Sequence, residues 1–239
     1  MNKTAIIIPS HLAAKRLPNK PLIKIKDKAM ITHVWEKAIA TKVQDVFVAT
    51  ADKEIADEIQ KQGGNAIITG KHHTTGSDRI FEAIQKLKLD HDIIINVQGD
   101  MPTVNPKTIN LINDFMITNP NISVSTVASK INKNEESEKN IVKAITAKHL
   151  SQNEFQKAID FVRIIENEKF FYHHIGLYAY KTSILKDFVS LKKTENEINR
   201  SLEQMRFIDH GIDVFVGYTD DNPLSVDTQE DLENIKKII

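Results

Sequence analysis

Apolar and polar positions alternate between two periods along the first half of the chain. Residues 4 to 8 form a short β run that breaks at Pro9, and a polar segment, 10 to 20, precedes a second apolar patch at 22 to 25. From 30 to 40 the apolar residues Met30, Ile31, Val34, Trp35, Ala38 and Ile39 recur at helical spacing, which predicts a helix laid on a sheet. Residues 46 to 49 read as a second strand. Asp52 then stands at an N-cap position, with Ile55, Ala56 and Ile59 on one face until Gly63 and Gly64 end the helix. A third strand at 66 to 68 leads through a polar stretch, 70 to 77, to a helix marked by Ile80, Phe81, Ile84 and Leu87. The unbroken Ile93, Ile94 and Ile95 with Val97 suit a central strand of a parallel sheet, whose two faces are both covered. Strand and helix thus alternate through residue 97. That order argues a parallel sheet wound with right-handed crossovers.

After a helix at 106 to 117 and a β run at 122 to 128 the pattern changes. Residues 129 to 139 form a charged loop rich in Asn and Glu, read as the exit from the sheet into a lobe. Residues 141 to 147 and 175 to 180 look like strands, and the polar segment between them follows neither period. Residues 197 to 208 read as a helix, 214 to 216 as a strand, and a last helix begins near 229. The expectation is one domain over 1 to 239, with a lobe at about 129 to 210.

Ligands of open α/β sheets bind beyond the carboxyl ends of the strands, so the turn after residue 97 matters. It carries Gln98, Gly99 and Asp100 before Pro102; Gly99 permits a sharp turn and Pro102 stops the ladder. A solvated turn aspartate is the plain alternative.

Composition narrows the classes of function. The chain has 239 residues, 41% of them hydrophobic, and zero formal net charge, enough for a sizeable core and without a global field for nucleic acid or an anionic membrane. It has no cysteine, which excludes disulfides and thiolate chemistry and fits a reducing cytoplasm. The first residues lack the apolar region of a signal peptide, and no 18-residue apolar run is present. Arginine stands only at 16, 79, 163, 200 and 206 in a lysine-rich chain.

Three candidate constellations follow. The first loop places Lys15, Arg16 and Lys20 beyond the first strand, where backbone N–H groups and cations could hold a polyphosphate; the competing reading is a solvated basic loop. It is neither a Walker loop nor a dinucleotide fingerprint. Asp227, before the last helix, could join Asp100 in a Mg²⁺ site or serve as a neighbour of a Thr228 cap. His72 with His73, and His173 with His174, lack metal-ligand spacing because adjacent side chains point apart. Tyr178 and Tyr180 share a strand face with His174 by period-two spacing.

Five segments in order, Arg16-Leu-Pro-x-Lys20-Pro-Leu, Thr75-Gly-Ser-Asp-Arg79, Asn96-Val-Gln-Gly-Asp100, His174-x-Gly-x-Tyr178 and Leu202-Glu-Gln-Met-Arg206, followed by Ser225-Val-Asp227-Thr, carry a resemblance. The chain resembles the 3-deoxy-manno-octulosonate cytidylyltransferases from about residue 5 to its end. The resemblance implies an α/β fold with a mostly parallel, helix-flanked sheet in three layers and an added dimerisation and sugar-binding lobe. It implies transfer of CMP from CTP to the anomeric hydroxyl of 3-deoxy-D-manno-octulosonate (Kdo), with pyrophosphate released, in the cytoplasm, for lipopolysaccharide synthesis. Arg16, Lys20 and Asp100 would be catalytic; Pro9, Ser10, His11, Arg16, Lys20, Gly76, Ser77, Asp78 and Arg79 would bind nucleotide. Gln98, Lys157, His174, Tyr178, Glu203 and Gln204 would orient the sugar, Asp100 and Asp227 would hold Mg²⁺, and the active form would be a homodimer.

Departures from the family pattern are specific. His11 and Ala14 stand where an arginine and a serine are usual, and Lys157 replaces an arginine of a Phe-Ser-Arg segment. Arg200 replaces a glutamate, and Met101 an acidic residue. They leave two alternatives open: a related sugar such as 8-amino-Kdo, or a diverged copy that binds nucleotide without catalysis.

Overall fold

The computed structural model describes residues 3–13 and 16–239. Ala14 and Lys15, both singled out in the first loop, lie outside the described residues. In chain order the elements are β1 (Thr4–Ser10), a 3₁₀ turn (Lys20–Leu22), β2 (Lys24–Ile25), β3 (Lys28–Ala29), α1 (Met30–Ile39), β4 (Asp45–Thr50), α2 (Lys53–Lys61), β5 (Asn65–Ile68), α3 (Gly76–Leu87), β6 (Ile93–Asn96) and α4 (Pro106–Thr118). There follow β7 (Val124–Ser129), α5 (Lys133–Glu136), β8 (Lys143–Thr146), β9 (Phe155–Val162), β10 (Phe171–Lys181), α6 (Thr182–Ser190), α7 (Glu195–Arg200), α8 (Met205–Asp209), β11 (Val214–Tyr218) and α9 (Gln229–Ile238). They divide into two units, one of Met1–Asn110 with Pro223–Ile239 and one of Leu111–Asn222.

In the first unit the strands run β5-β4-β1-β6, all parallel. Every residue of β6 is buried, as its apolar run requires of an inner strand. β1 does not break at Pro9 but continues to Ser10, which registers with Thr50. Ile7 accepts from the Val97 N–H, so alternate residues of β1 face the β6 side, and the β6 register ends at the Ile7 and Asn96 pair. Pro9 falls where no ladder donor is needed.

In the second unit the strands run β10-β7-β11-β9-β8, and β8 pairs β10 as well, which closes the five strands into a ring. Only β7 and β11 are parallel. β9 occupies the stretch where neither period was legible, and α6 follows the 175 to 180 run in a stretch assigned no element from the sequence. Ala158 and Phe161 are the buried positions of β9, an odd spacing that follows a register shift against β8 between Ile145 and Thr146. The single helix read over 197 to 208 is two: α7 ends at Ser201, whose left-handed backbone (φ 52°) breaks the run before α8. The loop at 129 to 139 holds the short α5, capped by a reciprocal Asn132 and Glu135 box.

Candidate active site

The first unit gathers its chemistry at the carboxyl edge of the parallel sheet. β1 delivers Pro9 to His11, β6 delivers Gln98 to Asp100, and the segment before α9 delivers Asp227. Gly99 is needed for close approach and not for an unusual backbone angle: a Cβ there would lie 2.8 Å from the Pro9 carbonyl oxygen. The Val226 N–H donates to the Asp100 carbonyl at 3.0 Å, tying the two acidic segments together.

A small apolar cluster sets the first loop. Leu17, Ile25, Met30, Val226, Leu232 and Ile235 pack as one buried group. Leu17 therefore fixes Arg16 beside it, and Val226 fixes Asp227. Asn19 adopts the left-handed conformation (φ 55°) that asparagine tolerates, and the 3₁₀ turn that follows aims Lys20 inward. Lys20 Nζ donates to Asp100 Oδ2 at 2.8 Å and to Asp227 Oδ1 at 3.1 Å, while Arg16 Nη2 lies 3.0 Å from Asp227 Oδ2. The two carboxylates named from sequence thus converge on one nitrogen. Burial works to lower the Lys20 pKa, but Asp100 and then Asp227 outweigh it and hold it above the usual lysine value.

These groups line a cavity of about 400 Å³ with Pro9, Ser10, His11, Gly76, Arg79 and Gln98. Ser10 is buried, and its Oγ has no hydrogen-bond partner among the described residues. His11 has its pKa lowered by burial and by the Arg79 charge. Arg79 is 4% exposed and donates from Nη1 to Thr69 Oγ1 at 2.6 Å and to the Gly70 carbonyl at 3.3 Å, so part of its fork holds the loop after β5. Ser77 and Asp78, expected in the same group, are not in the cavity lining: Ser77 is buried, and Asp78 is engaged with the Thr75 cap, whose Oγ1 donates to its Oδ2 at 2.9 Å.

One residue of this arrangement was missed. Asp52 sits at the N-cap position of α2, but its side chain makes no capping bond; Oδ2 accepts the Leu12 N–H at 2.8 Å and anchors the first loop. The neighbouring register of Ser10 and Thr50 is the signal that could have found it. Asp227 likewise leaves the capping of α9 to Thr228 and Asp231.

The second unit holds a separate cluster on β10. A register shift between Ile175 and Tyr178 opens two carbonyls, Ile175 and Leu177, which lie 3.1 and 2.8 Å from Thr126 Oγ1. His174 Nε2 is 3.0 Å from the same hydroxyl, and its ring meets Tyr178 edge-on at 5.5 Å. The His174 pKa falls to about 3, by burial first and the His173 charge second. Burial, then Tyr180 and Glu203, push the Tyr178 phenol well up. Gln204 is buried at the start of α8.

Lys157 and Arg206 are spent elsewhere in that unit. Lys157 is exposed and its Nζ lies 2.6 Å from Asp213 Oδ1. Arg206, 3% exposed, donates from Nε and Nη2 to Glu197 at 2.7 and 2.5 Å and stacks over Phe188. Arg200 donates from Nη1 to Asp160 Oδ1 at 2.6 Å, pinning α7 to β9. Met101, the other departure beside Asp100, is 3% exposed and belongs to the core.

Comparison with known proteins gives the family. Residues 5–214 match the family model described as cytidylyltransferase. The chain is 37% identical over 239 residues to the 3-deoxy-manno-octulosonate cytidylyltransferase of Paramagnetospirillum magneticum, covering 98% of this chain and 96% of that protein. It is 39% identical over 242 residues to the enzyme of the same name from Rhodopseudomonas palustris strain BisB18, covering 99% and 98%. The solved structure of CMP:2-keto-3-deoxy-manno-octonic acid synthetase complexed with CTP superposes with a TM-score of 0.91 at 34% identity, over 99% of this chain and 98% of that one. A glucose-1-phosphate thymidylyltransferase from Bacillus anthracis shares the fold alone, at 16% identity, TM-score 0.67, and coverage of 98% and 94%. By sequence over its full length and by fold, the chain is a nucleotidyltransferase that belongs to the 3-deoxy-manno-octulosonate cytidylyltransferase family.

Proposed function

We propose that the protein transfers CMP from CTP to the anomeric hydroxyl of Kdo, forming CMP-Kdo and pyrophosphate for lipopolysaccharide synthesis in the cytoplasm. The observation that carries this reading is the meeting of Asp100 and Asp227 on Lys20 at the edge of the parallel sheet. The hydroxyl oxygen bonds to the α-phosphorus, the bond to the β-phosphate oxygen breaks, and the hydroxyl proton is released. Such a displacement asks for in-line positioning and charge neutralisation more than for a strong base. Arg16 and Lys20 hold the departing phosphates, Ser10 and the His11 loop meet phosphate oxygens, and Gly76 and Arg79 form the wall for the base. Gln98 contacts the sugar.

Two hard carboxylates, converging on a point and leaving room for phosphate oxygens and water, are the donor set that suits Mg²⁺. Bound by Asp100 and Asp227, the ion supplies charge neutralisation to the phosphates. His174, Tyr178, Glu203 and Gln204 are proposed as sugar-orienting residues from the family pattern.

A second reading, in which the acceptor is a related 2-keto-3-deoxy sugar acid such as 8-amino-Kdo, rests on the second unit's departures from the family pattern, Lys157 and Arg200, each held in an ion pair within that unit. Pyrophosphate release with CTP and Mg²⁺ across a panel of such sugars separates them. Highest kcat/KM with Kdo supports the first reading, a clear preference for another sugar supports the second, and CTP binding without turnover on any sugar overturns both.

A further inference from the structure

At the border of the nucleotide cavity, which His73 helps to line, lies a cluster to which the transfer reaction gives no role. His72 and His73 have their rings 4.3 Å apart, tilted by 44°. Glu82, from the second turn of α3, joins them, so that one ligating atom from each of the three lies within 4.8 Å of the others. Among the described residues this is the one group of three such side chains. The expectation that the adjacent His72 and His73 side chains point apart does not hold here, because the turn after Gly70 is not a regular strand and brings both rings to one side, and the third member comes from a different element.

The arrangement is built by the turn around Gly70. The Gly70 N–H donates to Glu82 Oε2 at 2.8 Å, and the same oxygen faces His73 Nε2 in a short contact. The His72 ring lies over the α-carbon of Gly70, where a Cβ would collide with its Nδ1 and Cε1. Lys86 engages the other oxygen, Oε1, at 2.7 Å, leaving Oε2 turned toward the imidazoles. Burial would raise the Glu82 pKa, but hydrogen bonds from Lys86, Gly70 and His73 bring it down to about 2, so the carboxylate stays ionised in working buffers.

We propose that His72, His73 and Glu82 bind a divalent transition ion of the zinc class, distinct from the Mg²⁺ of the transfer reaction. Two imidazoles and a carboxylate are a donor set that zinc uses at about 2.0–2.2 Å, with a fourth position open to water. Nitrogen donors select against Mg²⁺ and Ca²⁺. The ion takes the place of the proton between His73 and Glu82; with both atoms at metal-bond length they stand roughly 3 Å apart, a small opening of the present contact. The Lys86 side chain is half exposed, so its charge is screened and it can swing aside.

The metal-free full chain, titrated with Zn²⁺ by calorimetry and with Co²⁺ by visible absorption in buffer containing Mg²⁺, tests this. One ion per chain is expected, with a Co²⁺ ligand-field band that Zn²⁺ displaces and Mg²⁺ does not. His72→Ala removes a ligand from the surface, and Gly70→Ala displaces the same ring; each is expected to weaken binding at least about tenfold, with circular dichroism unchanged. Absence of saturable binding at one equivalent, or His72→Ala binding as tightly as the parent chain, overturns the site.

Discussion

At the scale of single residues, Lys20 is the cavity cation shared between Asp100 and Asp227. Lys20→Ala removes its charge from the leaving phosphates and leaves two carboxylates to repel each other. A loss of about 10²–10³ in kcat/KM is expected, comparable to removing one preorganised transition-state donor; steady-state pyrophosphate release measures it. His174 gives a prediction with a sign. The unfolded chain takes up its proton near 6.5, the folded chain only near 3, so this contribution to stability is complete above pH 6.5 and declines as pH falls toward 3. The expected loss at pH 5 is on the order of 2 kcal/mol. Thermal melts at pH 7.5 and pH 5 should separate, and His174→Gln should narrow the gap.

At the scale of elements, the approach of the β6 turn to the end of β1 governs the site. Gly99→Ala sets a Cβ against the Pro9 carbonyl and must push the two strand ends apart. A stability cost of about 1–3 kcal/mol is expected by analogy with overpacking, with a rise in KM for CTP; denaturant titration and kinetics check the two. The parallel half of the fold was legible because α1 and α2 carry the helical period and β1, β4 and β6 read as short apolar runs between them. β9 was not, because a register shift scrambles its alternation, and α7 and α8 merged because Ser201 breaks the helix by backbone angle without a glycine or proline to announce it. The motifs found Asp100, Asp227, Arg16 and Lys20. They were silent on Asp52, whose position suggested a cap while its carboxylate serves the neighbouring loop, and the Glu197 pairing that occupies Arg206 crosses the break between α7 and α8, which a reading of one continuous helix does not reveal.

At the scale of the whole molecule, Ile159, Ile164 and Ile198 are each more than half exposed in the second unit, on segments that Arg200 and Arg163 bind together. Exposed apolar side chains of this kind fit the homodimer that the family resemblance implies. Sedimentation should report two chains, and Ile198→Asp should shift the population toward one. The account as a whole rests on nucleotidyl transfer at the Asp100 and Asp227 pair. Its most direct test is the rate of pyrophosphate release from CTP and Kdo with Mg²⁺, for the parent chain and for Asp100→Asn. The account predicts steady turnover by the parent, dependent on Mg²⁺, and a fall of about a hundredfold or more in the variant. Turnover undiminished by Asp100→Asn, or none by the parent chain with any 2-keto-3-deoxy sugar acid, would contradict it.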